Sequence, residues 1–175
     1  MKPETLTKWR VPLGWVSGVL ALLVADPNPR LYGVGLGLAA VGEALRLWAS
    51  GNLDKNERLS TRGPYAWTRN PLYLGSLIIG VGFSLATGRL ALLGIVVVLF
   101  AAVYGPVMKR EAARLEDAFP EVFPDYAEKV PLFWPRWPRE SARGEFRLDR
   151  IRRNREHWTV VGWIAVALFL GWKLL

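Results

Sequence analysis

Leu59 to Gly75 reads LSTRGPYAWTRNPLYLG, a polar loop that runs directly into an apolar helix. Proline tolerates the first turn of a helix because its missing N–H would have no partner there. An asparagine just before it can cap the free N–H groups of that turn. Asn70-Pro71 therefore predicts a helix start capped by the Asn70 side chain, and the loop brings Arg69 and Asn70 to the mouth of this helix.

Long apolar runs on both sides of this stretch indicate a membrane protein. Hydrophobic residues make up 51% of the 175-residue chain. A helix needs about 17 to 25 mostly apolar residues to cross the hydrocarbon core. Five segments approach this length: Trp9 to Ala25, Leu31 to Ala49, Pro71 to Thr87, Leu90 to Met108, and Trp158 to Leu175. We predict an all-α polytopic membrane protein with about five transmembrane helices, in a single domain that comprises residues 1–175.

The basic residues are distributed unevenly between the two sides that five spans would create. The chain has 23 Lys and Arg against 15 Asp and Glu, a formal net charge of +8. Most basic residues fall before the first span, between the second and third spans, or after the fourth, and the other side has only Arg30, Arg89 and Lys173. This positive-inside pattern places the N-terminus and the large loops in the cytoplasm. Nucleic acid is then not needed to explain the charge.

The residue types exclude several kinds of chemistry. The chain has no cysteine and one histidine, which excludes disulfides, thiolate ligands and a cysteine nucleophile, and we expect no metal site. We interpret His157, at the mouth of the last span, as an interfacial residue and not as a catalyst. Tryptophans at span ends predict an aromatic belt: Trp9, Trp48, Trp158 and Trp172.

Two charged residues lie inside the second predicted span. Glu43 and Arg46 are one turn apart on one helix face. An ion pair within the membrane is costly enough to be a functional candidate. A structural pair near the interface, with Arg46 reaching towards water, is an equally open interpretation. Small residues in the same span predict close helix packing: Gly33, Gly35, Gly37 and Gly42.

A tight turn at Thr87 to Arg89 should join the third and fourth spans as a hairpin. Because a hairpin returns the chain to the face it left, we expect Arg69 to Pro71 and Lys109 to Glu111 to lie near each other. After the fourth span the helix should continue into water as KREAARLEDAF. Pro120 and Pro124 are expected to end it.

Beyond this helix the sequence changes composition twice. Tyr126 to Pro135 is rich in aromatic residues and proline, and it either covers the site along the membrane surface or anchors the chain at the interface. Residues 136–156 form a basic cytoplasmic segment that would attract anionic headgroups. We favour a solvated loop over specific lipid recognition for this segment.

Two separated motifs resemble the isoprenylcysteine carboxyl methyltransferase and phospholipid methyltransferase family of integral membrane enzymes. They are GPYAWTRNPLYLG, Gly63 to Gly75, and REAARLEDAFPEVFPDYAEKVPLFWP, Arg110 to Pro135, with two spans between them. The matching positions are Gly63, Tyr65, Arg69, Pro71, Tyr73, Gly75, Glu111, Leu115, Phe119, Tyr126, Val130, Pro131, Phe133 and Pro135. The resemblance covers the core, residues 46–135, and leaves out the first span, the basic segment and the C-terminal span at residues 157–175.

The chain also departs from the family pattern. Asn70 stands where many members have histidine, and an asparagine can form hydrogen bonds but cannot titrate. Ala112 replaces a second glutamate of the pattern. Val107 stands where the prenylcysteine enzymes have an arginine that contacts substrate.

The resemblance implies S-adenosylmethionine as the cofactor, bound at the cytoplasmic face between the loop before span 3 and the helix after span 4. The implied binding residues are Leu59, Tyr65, Arg69, Asn70, Pro71, Leu72, Tyr73, Glu111 and Tyr126. Among them Arg69, Asn70 and Glu111 are the expected catalytic residues. Glu111 would hold the cationic or ribose end of the cofactor, and Arg69 and Asn70 its carboxylate or its orientation. Tyr65 would form a wall.

The implied activity is methyl transfer to a lipid or isoprenoid-type acceptor, a carboxylate or an amine, that enters from the bilayer. An amine must lose a proton first, and no base is visible in the sequence. Two alternatives stay open: an NADPH-dependent membrane reductase of the sterol reductase type, and a non-catalytic membrane scaffold. The expected partners are membrane lipids and a lipophilic acceptor, with no nucleic acid and no metal.

Overall fold

A computed structural model describes residues 14, 16–54, 58–138 and 143–175. The secondary structure of these ranges is helical, without strands, which confirms the all-α prediction. The described part of α1 covers residues 16–23. The remaining helices are α2 (Pro29–Asn52), a 3-10 helix (Gly63–Ala66), α3 (Pro71–Ala86), α4 (Ala91–Ala118), α5 (Phe123–Lys129), α6 (Leu148–Arg153) and α7 (His157–Trp172).

The five predicted spans coincide with α1, α2, α3, the first part of α4, and α7. Within the described ranges α4 is the one helix that is both long and apolar enough to cross a membrane, by length and composition. Helices α3 and α7 are apolar but have 16 residues each. The beginning of the predicted first span, with Trp9, lies outside the described residues. Large apolar side chains on several helices are exposed, among them Val34, Val98 and Leu168.

Helix α3 begins at Pro71 as predicted, but the role assigned to Asn70 is wrong. Asn70 occupies the N-cap position and its side chain accepts no capping hydrogen bond. Its amide nitrogen instead donates to the carbonyl of Leu132 at 2.9 Å. The segment around Leu132 packs directly on this loop. The Asn70 side chain therefore links the two segments and does not cap the helix.

Helices α2 and α3 pack against each other through glycines. A Cβ atom on Gly35 would meet the carbonyl oxygen of Gly82 and the backbone of Ala86, and one on Gly42 would meet the Gly75 carbonyl. Small residues let two helix backbones approach this closely. The packing prediction is confirmed for Gly35 and Gly42.

The two other glycines of α2 do not take part in this contact. A Cβ atom on Gly33 or Gly37 would meet nothing within 4 Å. These residues lie two positions from Gly35, which turns them to the far side of the helix. Among the described residues, the α2–α3 contact therefore does not include this pair.

The turn between α3 and α4 forms the predicted hairpin. Gly88 has a φ of 74°, a left-handed conformation that glycine adopts without strain. Helix α4 then continues past its apolar part and ends at Ala118, directly before Pro120 as expected. Pro124 does not end this helix, because it lies in the first turn of α5, where proline is tolerated.

Candidate active site

A cavity of about 790 Å³ lies where the loop before α3 meets α4 and α5. This volume is within the range of about 300 to 1,000 Å³ that is usual for small-molecule sites. The wall contains all nine residues that the sequence predicts for the cofactor: Leu59, Tyr65, Arg69, Asn70, Pro71, Leu72, Tyr73, Glu111 and Tyr126. His157 is exposed and does not belong to the wall.

The α3–α4 hairpin brings the two motifs together at this cavity. The hydroxyl of Tyr73, in the first turn of α3, donates to Glu111 Oε2 at 3.1 Å. Glu111 lies on the part of α4 that extends beyond the apolar run, and its side chain is exposed at the cavity edge. The predicted proximity of the two segments is confirmed.

The aromatic stretch after α5 forms part of the same site. The backbone N–H of Arg69 donates to the Pro131 carbonyl at 2.9 Å, and the Thr68 hydroxyl donates to the Phe133 carbonyl at 2.8 Å. Together with the bond between Asn70 and Leu132, these contacts fasten residues 131–133 along the loop. The stretch therefore covers the site, which is one of the two roles predicted for it.

Two tyrosines at the cavity are buried and linked. The Tyr126 hydroxyl donates to the Tyr65 carbonyl at 2.8 Å. Burial is the main cause that raises the pKa of both phenols above the usual value, so both stay neutral. The Tyr65 hydroxyl has no hydrogen-bond partner among the described residues. Tyr65 therefore lies in the cavity wall with a buried hydroxyl that no described residue bonds.

Arg69 lies beside this pair. Its guanidinium is 5.8 Å from the centre of the Phe123 ring, a cation–π contact. Burial lowers the pKa of Arg69, although an arginine remains charged in proteins. Its Nε is buried without a partner in the described part of the chain, so Arg69 and Tyr65 both keep bonding capacity for a polar ligand.

A third group of cavity residues comes from outside the two motifs. Arg46 of α2 and Asn154 and Glu156, just before α7, belong to the wall. Arg46 Nε donates to Glu156 Oε1 at 2.7 Å, and their side chains are 16% and 5% exposed. Sequence reasoning missed Glu156, because only the packing of α7 on α2 brings it to Arg46, 110 positions away in the chain.

The predicted pairing of Glu43 with Arg46 is wrong. Arg46 pairs with Glu156 because the start of α7 packs against α2 on the side of Arg46. Both carboxylate oxygens of Glu43 are buried and lack a hydrogen-bond partner within the described ranges.

The solvated loop favoured for the basic segment is found only in part, because most side chains of residues 143–156 are exposed but several groups bond the end of α2. Arg150 is buried and donates to Asp54 Oδ2 at 2.9 Å. The Arg147 backbone N–H bonds the Gly51 carbonyl at 2.9 Å. Asn154 donates to two carbonyls at the end of α2. Backbone carbonyls and the Asp54 side chain at the end of α2 hold the segment in place. The net charge of the segment does not predict these contacts.

The site combines charges of both signs with neutral hydrogen-bonding groups. Carboxylates are contributed by Glu111 and Glu156, guanidinium groups by Arg46 and Arg69, and a free hydroxyl by Tyr65. Such a wall suits a ligand that itself carries both charges and polar groups. The described residues include no cluster of three or more His, Cys, Asp or Glu that could hold a metal ion.

These features define a protein whose described residues are helical, with exposed apolar side chains on several helices and a cavity of ligand-binding size lined by both apolar and charged side chains. Residues 33–121 match the family model of phospholipid methyltransferases, and the chain belongs to this family. The family is part of the isoprenylcysteine carboxyl methyltransferase-like superfamily, which confirms the resemblance found in the two motifs. Membership indicates a membrane methyltransferase.

Two curated relatives are named for metal resistance. The cobalt-zinc-cadmium resistance protein CzcN of Cupriavidus metallidurans is 37% identical over 124 residues, which are 70% of this chain and 52% of that protein. The nickel-cobalt-cadmium resistance protein NccN of Alcaligenes xylosoxydans xylosoxydans is 37% identical over 105 residues, 59% of this chain and 47% of that protein. The chain thus spans about half the length of these relatives. No solved structure matches it.

Proposed function

We propose that this chain is an S-adenosylmethionine-dependent membrane methyltransferase with a lipid or isoprenoid-type acceptor. One observation carries the proposal: residues of two motifs that are far apart in sequence line one cavity in a chain of a methyltransferase family. The unpartnered Tyr65 hydroxyl and Arg69 Nε fit a cofactor that has a carboxylate, an ammonium group and a ribose.

In this proposal each motif residue binds a part of the cofactor. The acidic side chain of Glu111 holds the cationic or ribose end, and Arg69 holds the carboxylate. Asn70 fastens residues 131–133 through its amide nitrogen, which leaves its side-chain oxygen for orienting the ligand. The cofactor supplies an activated methyl group on sulfur, and alignment with the acceptor accounts for about 7 to 11 kcal/mol of the barrier.

The proposal includes the membrane arrangement. The five apolar helices would cross the bilayer, with the N-terminus and the cavity on the cytoplasmic side, as the positive-inside pattern favours. The exposed Trp134 and Trp137 are suited to the interface near the cavity. A lipophilic acceptor would then reach the cavity from the bilayer.

Calorimetric titration of S-adenosylmethionine into the purified protein tests the function. We expect binding that weakens about tenfold or more in Arg69→Gln and in Glu111→Gln, because each loses a charge-assisted contact. Matched controls are Arg136→Gln and Glu116→Gln, which change exposed residues of the same types outside the cavity wall. Full affinity in both cavity variants would reject the site, and preferential binding of NADPH would favour the reductase alternative.

The names of the relatives suggest a physiological setting for the same activity, namely tolerance of divalent metals. A deletion strain should grow less well in cobalt or cadmium and recover with the wild-type gene but not with Arg69→Gln. Recovery with Arg69→Gln would separate metal tolerance from methyl transfer.

A further inference from the structure

The cavity has a second polar end, part of which comes from residues beyond the family match. Arg46 lies there on α2, and Asn154 and Glu156 complete the wall from the segment before α7. The match to the family ends at residue 121, so the tail of this chain contributes side chains of its own to the site.

All three guanidinium nitrogens of Arg46 donate hydrogen bonds to other residues of the chain. Nε donates to Glu156 at 2.7 Å and Nη2 donates to the Thr159 hydroxyl at 3.3 Å. Nη1 donates to the Ser76 hydroxyl at 2.6 Å and to the Leu72 carbonyl at 3.2 Å. The guanidinium thus joins α2, α3 and the start of α7, and the bond from Nε fixes the position of Glu156.

Glu156 presents a carboxylate to the cavity while being only 5% exposed. The bond to Arg46 uses Oε1, so Oε2 is the oxygen that can accept from a ligand. Tyr65 lies in the same cavity wall, and the negative charge of Glu156 is one of the causes that raise the pKa of its phenol. Its buried hydroxyl has no hydrogen-bond partner among the described residues. A group that carries a proton would bind at this end, whereas a carboxylate would be repelled by Glu156.

We propose that Arg46, Asn154 and Glu156 form the subsite for the methyl acceptor, and that Glu156 takes the proton of an acceptor N–H or O–H group. This inference rests on the proposed function. Transfer forms a bond from the acceptor nitrogen or oxygen to the methyl carbon, and the carbon–sulfur bond breaks with its electron pair left on sulfur. The proton passes to Glu156 and from there to water. Glu156 is then the base that the two motifs lack.

The test uses phosphatidylcholine vesicles that contain one of three probes: phosphatidylethanolamine, phosphatidylglycerol or oleic acid. The full-length protein is supplied with methyl-labelled S-adenosylmethionine, and label is measured in each probe. We expect label in the amine or hydroxyl lipid. In Glu156→Gln the rate should fall by about 100-fold or more with unchanged affinity for S-adenosylmethionine. The control, Asp149→Asn, changes an exposed carboxylate of the same segment outside the wall and should keep the rate.

Other results of this experiment would contradict the proposal in different ways. Label in oleic acid, or equal rates in wild type and Glu156→Gln, would overturn the acceptor subsite and leave the proposed function standing. No label in any probe would overturn the acceptor subsite, while the titration of S-adenosylmethionine decides the proposed function separately. If thermal unfolding shows that Glu156→Gln does not fold, the choice of probe by the wild-type protein decides, because methyl transfer to the carboxylate form of oleic acid needs no base.

Discussion

The roles of Asn70 and Tyr65 in the structure differ from those predicted, because each role depends on which residues surround the side chain in the fold. The sequence places Asn70 correctly at the start of α3, but the carbonyl of Leu132 takes its amide. The identity of that partner depends on the path of a segment some sixty positions later. Tyr65 is correctly assigned to the wall, and its free hydroxyl becomes visible only when every neighbour is in place.

Replacing Asn70 with alanine should destabilise the protein and weaken the cofactor site. The Leu132 carbonyl loses the closer of its two donors and keeps the Thr68 hydroxyl at 3.5 Å, at a cost of about 1 to 3 kcal/mol in the free energy of unfolding. The matched control is Asn28→Ala, which removes the cap of α2 for about 1 kcal/mol but lies far from the cavity. Thermal unfolding and cofactor titration should therefore separate the two variants. Equal cofactor affinity in both would contradict a positioning role for Asn70.

Stability should fall at alkaline pH because of the buried tyrosines. Burial raises the pKa of Tyr126, so the folded protein keeps its proton at a pH where the unfolded chain, near its ordinary pKa of about 10, releases it. The stability is fully present below that value and is lost as pH rises towards the folded pKa. The melting temperature should therefore drop above about pH 10, and more gently in Tyr126→Phe. Identical pH profiles would contradict this explanation.

At the level of helices, the positions of the apolar segments follow from composition, whereas their contacts do not. The ends of α3 and α4 agree with the proline and glycine signals in the sequence. Which glycines of α2 face α3 depends on the rotation of the helix, and the sequence pattern did not reveal it. The tail is the larger omission, because residues 143–156 bind the end of α2 through backbone carbonyls that leave no trace in sequence composition.

The α2–α3 interface predicts opposite effects for two glycines of one helix. Gly42→Val places a side chain against the Gly75 carbonyl and Ile79, and overpacking of this kind costs about 1 to 3 kcal/mol. Gly37→Val faces open space and should unfold at the wild-type temperature or above it. Thermal unfolding in detergent compares them directly. An equal loss in both variants would contradict the interface.

On the scale of the whole molecule, hairpin geometry carried the prediction furthest. The α3–α4 hairpin was expected to bring the two motifs together, and all nine residues predicted for the cofactor line one cavity. The second end of the cavity could not be predicted, since Arg46 and Glu156 are separated by 110 positions and only the packing of α7 on α2 joins them.

The proposed topology can be tested cleanly because the chain has no cysteine. Leu90→Cys, in the exposed α3–α4 turn, should react with an impermeant maleimide in intact cells. Glu121→Cys and Trp137→Cys, exposed on the cavity side, should react only after the membrane is permeabilised. Labelling of all three variants in intact cells would contradict the cytoplasmic placement of the cavity.

The central claim is that two distant segments form one S-adenosylmethionine site, and photo-crosslinking tests it most directly. The protein is irradiated with labelled S-adenosylmethionine, digested, and the modified peptides are identified by mass spectrometry. The account predicts label in peptides from both residues 59–73 and residues 110–126, and its loss when excess S-adenosylhomocysteine competes. Label confined to one of the two segments, or found only elsewhere in the chain, would contradict it.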